Sequence, residues 1–175
     1  MNKPAARPIE KTEADPAEPR LVPDFSRSLP MALLRAREAV MARLRPILRA
    51  HGVTEQQWRV LRTLTNSEGL EATQLARQVF LLRPSLTRIL RDLQARDLVG
   101  RRITGSSLRR SVIFITPKGL ALIEEARPEA ARANAEIEAF IGRDEMAALK
   151  AELFRVEGAL NAGRAPDEVG SDEAD

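Results

Sequence analysis

The chain has 175 residues, of which 43% are hydrophobic and 3% are aromatic. This length fits one domain with tails, and the shortage of aromatic residues favours aliphatic helix packing over a β-sandwich. The chain has no Cys and one His, His51, so disulfides, thiolate metal sites and most His-based catalysis are excluded. No apolar run approaches the roughly 20 residues of a membrane span, and no secretory signal is apparent. We therefore expect a cytoplasmic protein with no cofactor and no membrane contact.

The positive charge of the chain is concentrated in one stretch. The net charge is +3, with zero over residues 1–27, −4 over residues 161–175 and +7 over residues 28–160. Residues 83–110 contain eight arginines and only two aspartates, a charge of +6. Such a concentration is typical of a surface that binds nucleic acid, although a solvated basic face would have the same composition.

The two ends of the chain are predicted to be disordered tails. Residues 1–28 hold five prolines and alternating charges, and residues 161–175 are acidic; neither composition can bury a core. The folded domain is then expected over residues 29–160. Its first helix is predicted over residues 30–50, with a kink at Pro46, and it ends at His51.

Two further helices are predicted to be joined by a short turn. Thr54 and Gln57 have the spacing of a capping box, which begins a helix by satisfying free backbone N–H groups. A shorter helix is expected over residues 71–79. The next helix begins near Pro84, which has no N–H to leave unpaired in a first turn, and runs to about Arg96. The pair forms the outline of a helix-turn-helix.

A β-hairpin is predicted after the helix-turn-helix. Residues 98–103 and 111–115 are expected to be its strands, and the polar residues 104–110 its turn. Thr116 then caps a long helix, which we expect to bend at Pro128 and to be followed by a last amphipathic helix. The predicted fold class is mainly α with a small β-hairpin, in the arrangement of a winged helix-turn-helix DNA-binding domain.

The second helix of a helix-turn-helix lies in the major groove of duplex DNA, with its N-terminal residues nearest the bases. We expect Arg83 and Arg88 near bases, because arginine donates two hydrogen bonds to guanine, and Ser85 and Thr87 near phosphates or base edges. Arg91 is also on the polar side of this helix. As alternatives, Arg91 could pair with a carboxylate or be merely solvated, and Ser85 could be only a local helix cap.

The tip of the hairpin carries Arg109 and Arg110. Projected from a hairpin, these side chains could enter the minor groove or contact the phosphates beside it. The alternative for Arg109 is a salt bridge that braces the hairpin.

The sequence resembles the multiple-antibiotic-resistance regulator (MarR) family, in particular its subgroup that regulates homoprotocatechuate and related aromatic-acid catabolism. The segments that carry the resemblance are ALLRARE at 32–38, TEQQWR at 54–59, LRPSLT at 82–87 and ITPKG at 115–119.

The resemblance implies a homodimer that binds a double-stranded DNA operator and usually represses transcription. It implies dimerisation helices at 29–51 and 117–160, with a DNA-binding lobe at 54–115 between them. Within that lobe, it places the recognition helix at 83–96 and the wing at 104–111, with Arg109 at the tip. The family often has an Asp two residues before this arginine, where this chain has Ser107, so the resemblance does not extend to that brace.

The resemblance further implies release from DNA by a small aromatic carboxylate. Arg37 falls on the apolar stripe of the first helix, where an unpaired charge is costly, and its guanidinium could bind a carboxylate through two hydrogen bonds. His51 and Trp58 could line a cleft between helices. Alternatively, Arg37 extends to solvent or pairs with an acidic residue, including one on a partner chain, and the other two are core or helix-end residues.

The sequence therefore predicts a sequence-specific DNA-binding transcription regulator. A non-specific architectural DNA-binding protein would use the same arginines, and a helical interaction module would bind no DNA; both remain open at this point. An enzyme is disfavoured, because the chain has one His, no Cys, no phosphate-binding glycine loop and only scattered carboxylates.

Overall fold

A computed structural model of the chain describes residues 25–103 and 111–162. The chain divides into two compact units, Met1–Arg37 and Glu38–Asp175. In the first unit, a 3-10 turn at Phe25–Arg27 precedes the start of helix α1, Leu29–Ala50. The Ser28 hydroxyl donates to the carbonyl oxygen of Phe25 at 2.7 Å.

The second unit contains the rest of α1, five more helices and a small sheet. The elements that follow α1 are α2 (Glu55–Leu64), β1 (Leu70–Glu71), α3 (Ala72–Gln78), α4 (Arg83–Ala95), β2 (Val99–Ile103), β3 (Ser111–Ile115), α5 (Pro117–Ile141) and α6 (Arg143–Asn161). The three strands are antiparallel in the order β1-β3-β2. This is the predicted fold class, mainly α with a winged helix-turn-helix. Within the described residues, no helix is both long and apolar enough to cross a membrane.

Two helices begin at the threonines that the sequence indicated. The backbone N–H of Gln57 donates to Thr54 Oγ1 at 3.2 Å, and the Gln57 side-chain oxygen accepts from the Thr54 N–H at 2.8 Å. At α5, the N–H of Gly119 donates to Thr116 Oγ1 at 3.1 Å. The predicted capping box and N-cap are therefore confirmed, and Pro117 lies in the first turn of α5.

Three helices end on a left-handed residue, which turns the chain sharply into the next element. Gly52 closes α1, Phe80 closes α3 and Asp97 follows α4, with φ angles of 68°, 51° and 59°. In each case the N–H of this residue and the N–H of the next residue donate back to carbonyls of the last turn, which satisfies groups that a helix end leaves free. Glycine adopts this conformation freely, whereas Phe and Asp are strained in it by roughly 1–2 kcal/mol.

The core is aliphatic and joins the end of α1, helices α2, α3 and α4, the sheet and α5. Its members share nearly complete burial; the largest fully buried ones are Leu48, Leu61, Leu64, Leu75, Leu86, Leu93, Ile113 and Ile123. Ile113 is the buried centre of β3, and its neighbours in that strand are half-buried. Neither face of β3 is therefore open to solvent.

The start of α5 is fastened to the end of α4. The Thr116 hydroxyl, 8% exposed, donates to the carbonyl oxygen of Asp97 at 2.7 Å, and Lys118 Nζ donates to that of Arg96 at 2.9 Å. Gly119 lies so close to the Leu98 carbonyl that a Cβ at this position would overlap it. The ITPKG segment therefore sets where the recognition helix lies against the long helix.

The structure corrects the sequence prediction in two places. A third strand, β1, precedes α3, and α3 spans Ala72–Gln78 where 71–79 was predicted. Pro46 lies inside α1 and Pro128 inside α5, and the bends at these two prolines stay predictions. The other helix ends agree closely with prediction.

Candidate nucleic-acid interface

Helix α4 presents one buried face and one cationic face. Leu86, Leu90 and Leu93 are buried, at the three- and four-residue spacing that places side chains on one side of a helix. The polar residues predicted to contact DNA all lie away from that side and are all exposed: Arg83, Ser85, Thr87, Arg88 and Arg91.

The cations of this face are not neutralised by the single acidic residue of α4. Asp92 accepts a hydrogen bond from Gln57 Nε2 at 2.7 Å and lies 3.5 Å from Arg96 Nη1. None of the ion pairs between described residues involves Arg83, Arg88 or Arg91. Among the described residues, Arg91 therefore pairs with no carboxylate, which was one alternative. The charges of Arg83, Arg88 and Arg91 remain available to an anionic partner.

The two hydroxyls of the first turns differ in their contacts. Thr87 Oγ1 donates to the carbonyl oxygen of Arg83 at 2.9 Å. Ser85 makes no side-chain hydrogen bond within the described residues, and the N-cap of α4 is Leu82. The alternative that Ser85 caps this helix is therefore wrong.

A cleft of about 310 Å³ runs beside the cationic face. Its lining brings predicted DNA-binding residues together with residues of α3 and β2: Ala72, Arg83, Leu86, Thr87, Leu90, Arg91, Gln94 and Arg101. Ser85 and Arg88 do not line it. Gln94 and Arg101 line this cleft but were not among the residues that the sequence singled out. Alternation along β2 was the available signal for Arg101, because it puts this residue on the same side as buried Val99.

The turn before α4 is fixed by an arginine of α2. Arg59 Nη1 donates to the carbonyl oxygen of Val79 at 2.8 Å, and Arg59 Nη2 lies 3.7 Å from Glu55. A carbonyl at the end of α3 is thus satisfied by a side chain. This contact holds the first helix of the helix-turn-helix against α2 and so sets the position of the second.

The base of the wing is held by Arg102. Its guanidinium carbon lies 5.4 Å from the centre of the Phe114 ring, and its Nη2 donates to the carbonyl oxygen of Glu68 at 2.6 Å. These contacts tie β2 to β3 and to the turn before β1. The predicted wing-tip residues Arg109 and Arg110, and Ser107, lie outside the described residues.

The predicted effector residues are described in their own units. Arg37, in the first unit, is exposed. Trp58 is half-buried against the core. His51 Nε2 lies 3.2 Å from Glu129 Oε1, and the helix-end alternative describes its place. His51 also lines a cleft of about 670 Å³ with Arg96, Lys118 and Glu125, which Trp58 does not line.

Comparison with known proteins assigns the family. The model of the MarR family matches residues 51–110. The chain is 38% identical over 146 residues to the homoprotocatechuate degradative operon repressor of Escherichia coli, covering 83% of this chain and 98% of that one. The chain belongs to the MarR family. The match to this repressor also supports the predicted subgroup.

Two solved structures of similar fold carry a ligand or DNA. NadR in complex with 4-hydroxyphenylacetate is 39% identical, with a TM-score of 0.66 over 74% of this chain and 92% of that one. The repressor CouR bound to a 23-mer DNA duplex is 28% identical, with a TM-score of 0.70 over 77% of this chain and 96% of that one. This MarR-family member is accordingly a sequence-specific DNA-binding transcription regulator, neither an enzyme nor a non-specific architectural protein.

Proposed function

We propose that this MarR-family protein is a homodimeric repressor whose α4 helices enter successive major grooves of an operator. The observation that carries the proposal is the outer face of α4, where Arg83, Arg88 and Arg91 have no ion pair among the described residues. Duplex DNA supplies partners for these side chains. Phosphates can pair with any cation, and guanine O6 and N7 accept two hydrogen bonds from one arginine.

Within this proposal, Arg83 and Arg88 contact bases, and Ser85, Thr87 and Arg91 contact phosphates or base edges. Arg101 joins them, because it lines the same cleft as Arg83 and Arg91. Arg109 and Arg110 are assigned to the minor groove or to the phosphates beside it, on the basis of their sequence position alone. The lobe is assigned to residues 54–115, as the sequence predicted.

The homodimer is supported by large apolar side chains that are exposed to solvent in the single chain. The exposed large ones outside the segment 54–115 are Phe25, Leu29, Leu33, Leu34, Val40, Leu120, Phe140, Ile141, Leu149, Leu153, Phe154 and Leu160. Exposed apolar surface on this scale marks an interface. A twofold dimer would present its two recognition helices to grooves roughly 34 Å apart, one turn of the duplex. We also propose a cytoplasmic location, because a transcription regulator must reach its operator DNA.

We further propose that a small aromatic carboxylate releases this repressor from DNA. The support comes from relatives: one represses a homoprotocatechuate operon and another was solved with 4-hydroxyphenylacetate. Arg37 is proposed to bind the carboxylate, and His51 and Trp58 are proposed to contact the ligand. Release requires that the ligand favour a dimer whose recognition helices no longer match the grooves, since a ligand shifts an equilibrium only by its differential affinity.

The test begins with full-length protein and a random duplex library. The expected result is enrichment of a sequence with two related half-sites, and binding that persists in excess competitor DNA. A library from which nothing is enriched would contradict the proposal. Purified protein should run as a dimer; a monomer that binds the selected duplex would refute the paired-helix arrangement.

The effector is tested separately through the single tryptophan of the chain, Trp58. Its fluorescence should change on addition of 4-hydroxyphenylacetate, and the same concentration should release the selected duplex. The matched amide, 4-hydroxyphenylacetamide, lacks the charge and should do neither. Arg37→Gln should weaken the response to the acid while DNA binding without ligand is kept. An equal response to acid and amide would contradict carboxylate recognition.

A further inference from the structure

Phe80 and Leu82 are large apolar residues that the fold leaves exposed beside the start of α4. Their side chains are 75% and 66% exposed, whereas Leu81 between them packs against the core. Most other large exposed apolar side chains of the described chain lie in or near α1, α5 and α6, to which dimer contacts are assigned above. The apolar surface before α4 therefore needs a different explanation.

Two hydrogen bonds fix the backbone of the turn that carries these exposed side chains. The N–H of Phe80 donates to the carbonyl oxygen of Arg77 at 3.2 Å, and the N–H of Leu81 donates to that of Ala76 at 3.0 Å. This pair of bonds closes α3 in the arrangement in which glycine usually takes the left-handed position. Phe80 occupies that position instead.

Leu82 stands where a polar residue would serve the helix better. It is the N-cap of α4, with extended backbone and no side-chain capping bond. Serine, threonine, aspartate or asparagine would accept a hydrogen bond from the free N–H groups of the first turn, as Thr54 and Thr116 do in α2 and α5. Leucine cannot make this hydrogen bond, and its apolar side chain is exposed to solvent. Both effects make the folded state less stable than a polar N-cap would.

We propose that Leu82 reads thymine in the major groove through contact with its 5-methyl group. This inference rests on the proposed docking of α4. Leu82 directly precedes Arg83, and the start of a recognition helix is the part nearest the base edges. Thymine is the only standard base with a methyl group on its major-groove edge, and apolar side chains contact that group. The groove would cover surface that the free protein leaves exposed.

The contact adds a kind of discrimination that the arginines do not supply. Arg83 and Arg88 are suited to guanine, whose O6 and N7 are acceptors, whereas Leu82 has neither donor nor acceptor. Burying one methyl group contributes what roughly one CH₂ does, about fourfold in affinity. Leu82 would therefore set a preference for thymine over cytosine beside a guanine-reading arginine.

The experiment replaces each thymine of the selected duplex, one at a time, with deoxyuridine, which pairs identically but lacks the methyl group. Binding to full-length wild-type protein should weaken about fourfold for each contacted methyl group removed. Leu82→Ser should bind the thymine duplex more weakly and no longer distinguish the two duplexes. Leu82→Met keeps an apolar side chain and should retain the distinction.

Two controls separate this contact from a role in folding. Leu82→Ser should raise the midpoint of thermal unfolding, because serine can cap α4, so its lost discrimination cannot come from misfolding. Phe80→Gly removes the neighbouring apolar side chain and relieves the left-handed strain, and it should keep the sensitivity to deoxyuridine. Loss of that sensitivity in Phe80→Gly, but not in Leu82→Ser, would overturn the assignment to Leu82.

The inference is also wrong if no replacement affects the wild type, or if Leu82→Ser keeps full sensitivity. In those cases the wild type still selects a duplex, and Arg88→Ala still weakens binding to it. Failure of the proposed function looks different: the library then yields no sequence, Arg88→Ala binds as the wild type does, and the assignment of Leu82 falls with it.

Discussion

Gln57 donates a hydrogen bond from its side-chain Nε2 to Oδ2 of Asp92, at 2.7 Å, and so joins the first turn of α2 to the recognition helix. The oxygen of the same amide accepts from the Thr54 N–H at 2.8 Å. One side chain therefore caps α2 and orients Asp92, which also lies beside Arg96. Among the described contacts, the one carboxylate of α4 therefore interacts with Gln57 and Arg96 and forms no ion pair with Arg83, Arg88 or Arg91.

Gln57→Glu should lower the free energy of unfolding by about 1–3 kcal/mol, because the variant replaces a donor to a carboxylate with a second carboxylate. The capping oxygen is retained, so the loss reports the contact with Asp92. Urea unfolding followed by circular dichroism measures it.

A double-mutant cycle provides the control for this contact. Asp92→Asn restores a donor opposite the carboxylate that Gln57→Glu introduces, so the double variant should be more stable than the sum of the two single changes predicts. Additive effects would mean that the side chains of Gln57 and Asp92 do not interact in solution.

Gly119→Ala should destabilise the protein by roughly 1–3 kcal/mol, the usual cost of overpacking. A Cβ there would overlap the carbonyl oxygen of Leu98 and lie 2.8 Å from a side-chain carbon of Ile115. Gly158→Ala is the matched control, because nothing lies within 4 Å of its added Cβ and alanine favours a helix by roughly 0.5–1 kcal/mol. Thermal unfolding of both variants should show opposite shifts. Shifts in the same direction would contradict the packing of α5 against the end of α4.

Binding to the selected duplex should depend steeply on salt. If the dimer makes about 6–10 phosphate contacts, affinity should fall by about 10³–10⁵ between 50 and 200 mM salt. Arg91→Gln should flatten the slope by roughly one unit for each phosphate contact that it removes. Fluorescence anisotropy of labelled duplex at several salt concentrations measures the slope, and a flat response would argue against the cationic face as the interface.

Much of the fold could be predicted because local chemistry marks the ends of its elements. Thr54 and Thr116 cap helices, and residues 111–115, which include three β-branched side chains, form a strand, as the sequence indicated. The strand β1 could not be predicted, since two residues show no alternation and pair only because β3 lies beside them. Phe80 likewise takes a conformation that a sequence pattern assigns to glycine.

The site was predictable in part for the same reason. The cationic face of α4 follows from the spacing of its leucines. The cleft depends on β2 lying beside that helix, so the sequence did not indicate that Arg101 lines it. The spacing of Arg37 put it on the apolar stripe of α1, yet spacing cannot tell whether a stripe is covered by the same chain, and Arg37 is exposed. The contacts of Arg109 and Arg110 remain predictions.

The most direct test of the central claim is the affinity of wild type and Arg88→Ala for the selected duplex and for each of its single-base variants, at one salt concentration. We predict that Arg88→Ala binds more weakly by about 1–3 kcal/mol and loses preference at one base pair of each half-site, while preferences elsewhere hold. Wild-type affinity and an unchanged preference at every position would contradict the assignment of α4 as the helix that reads DNA.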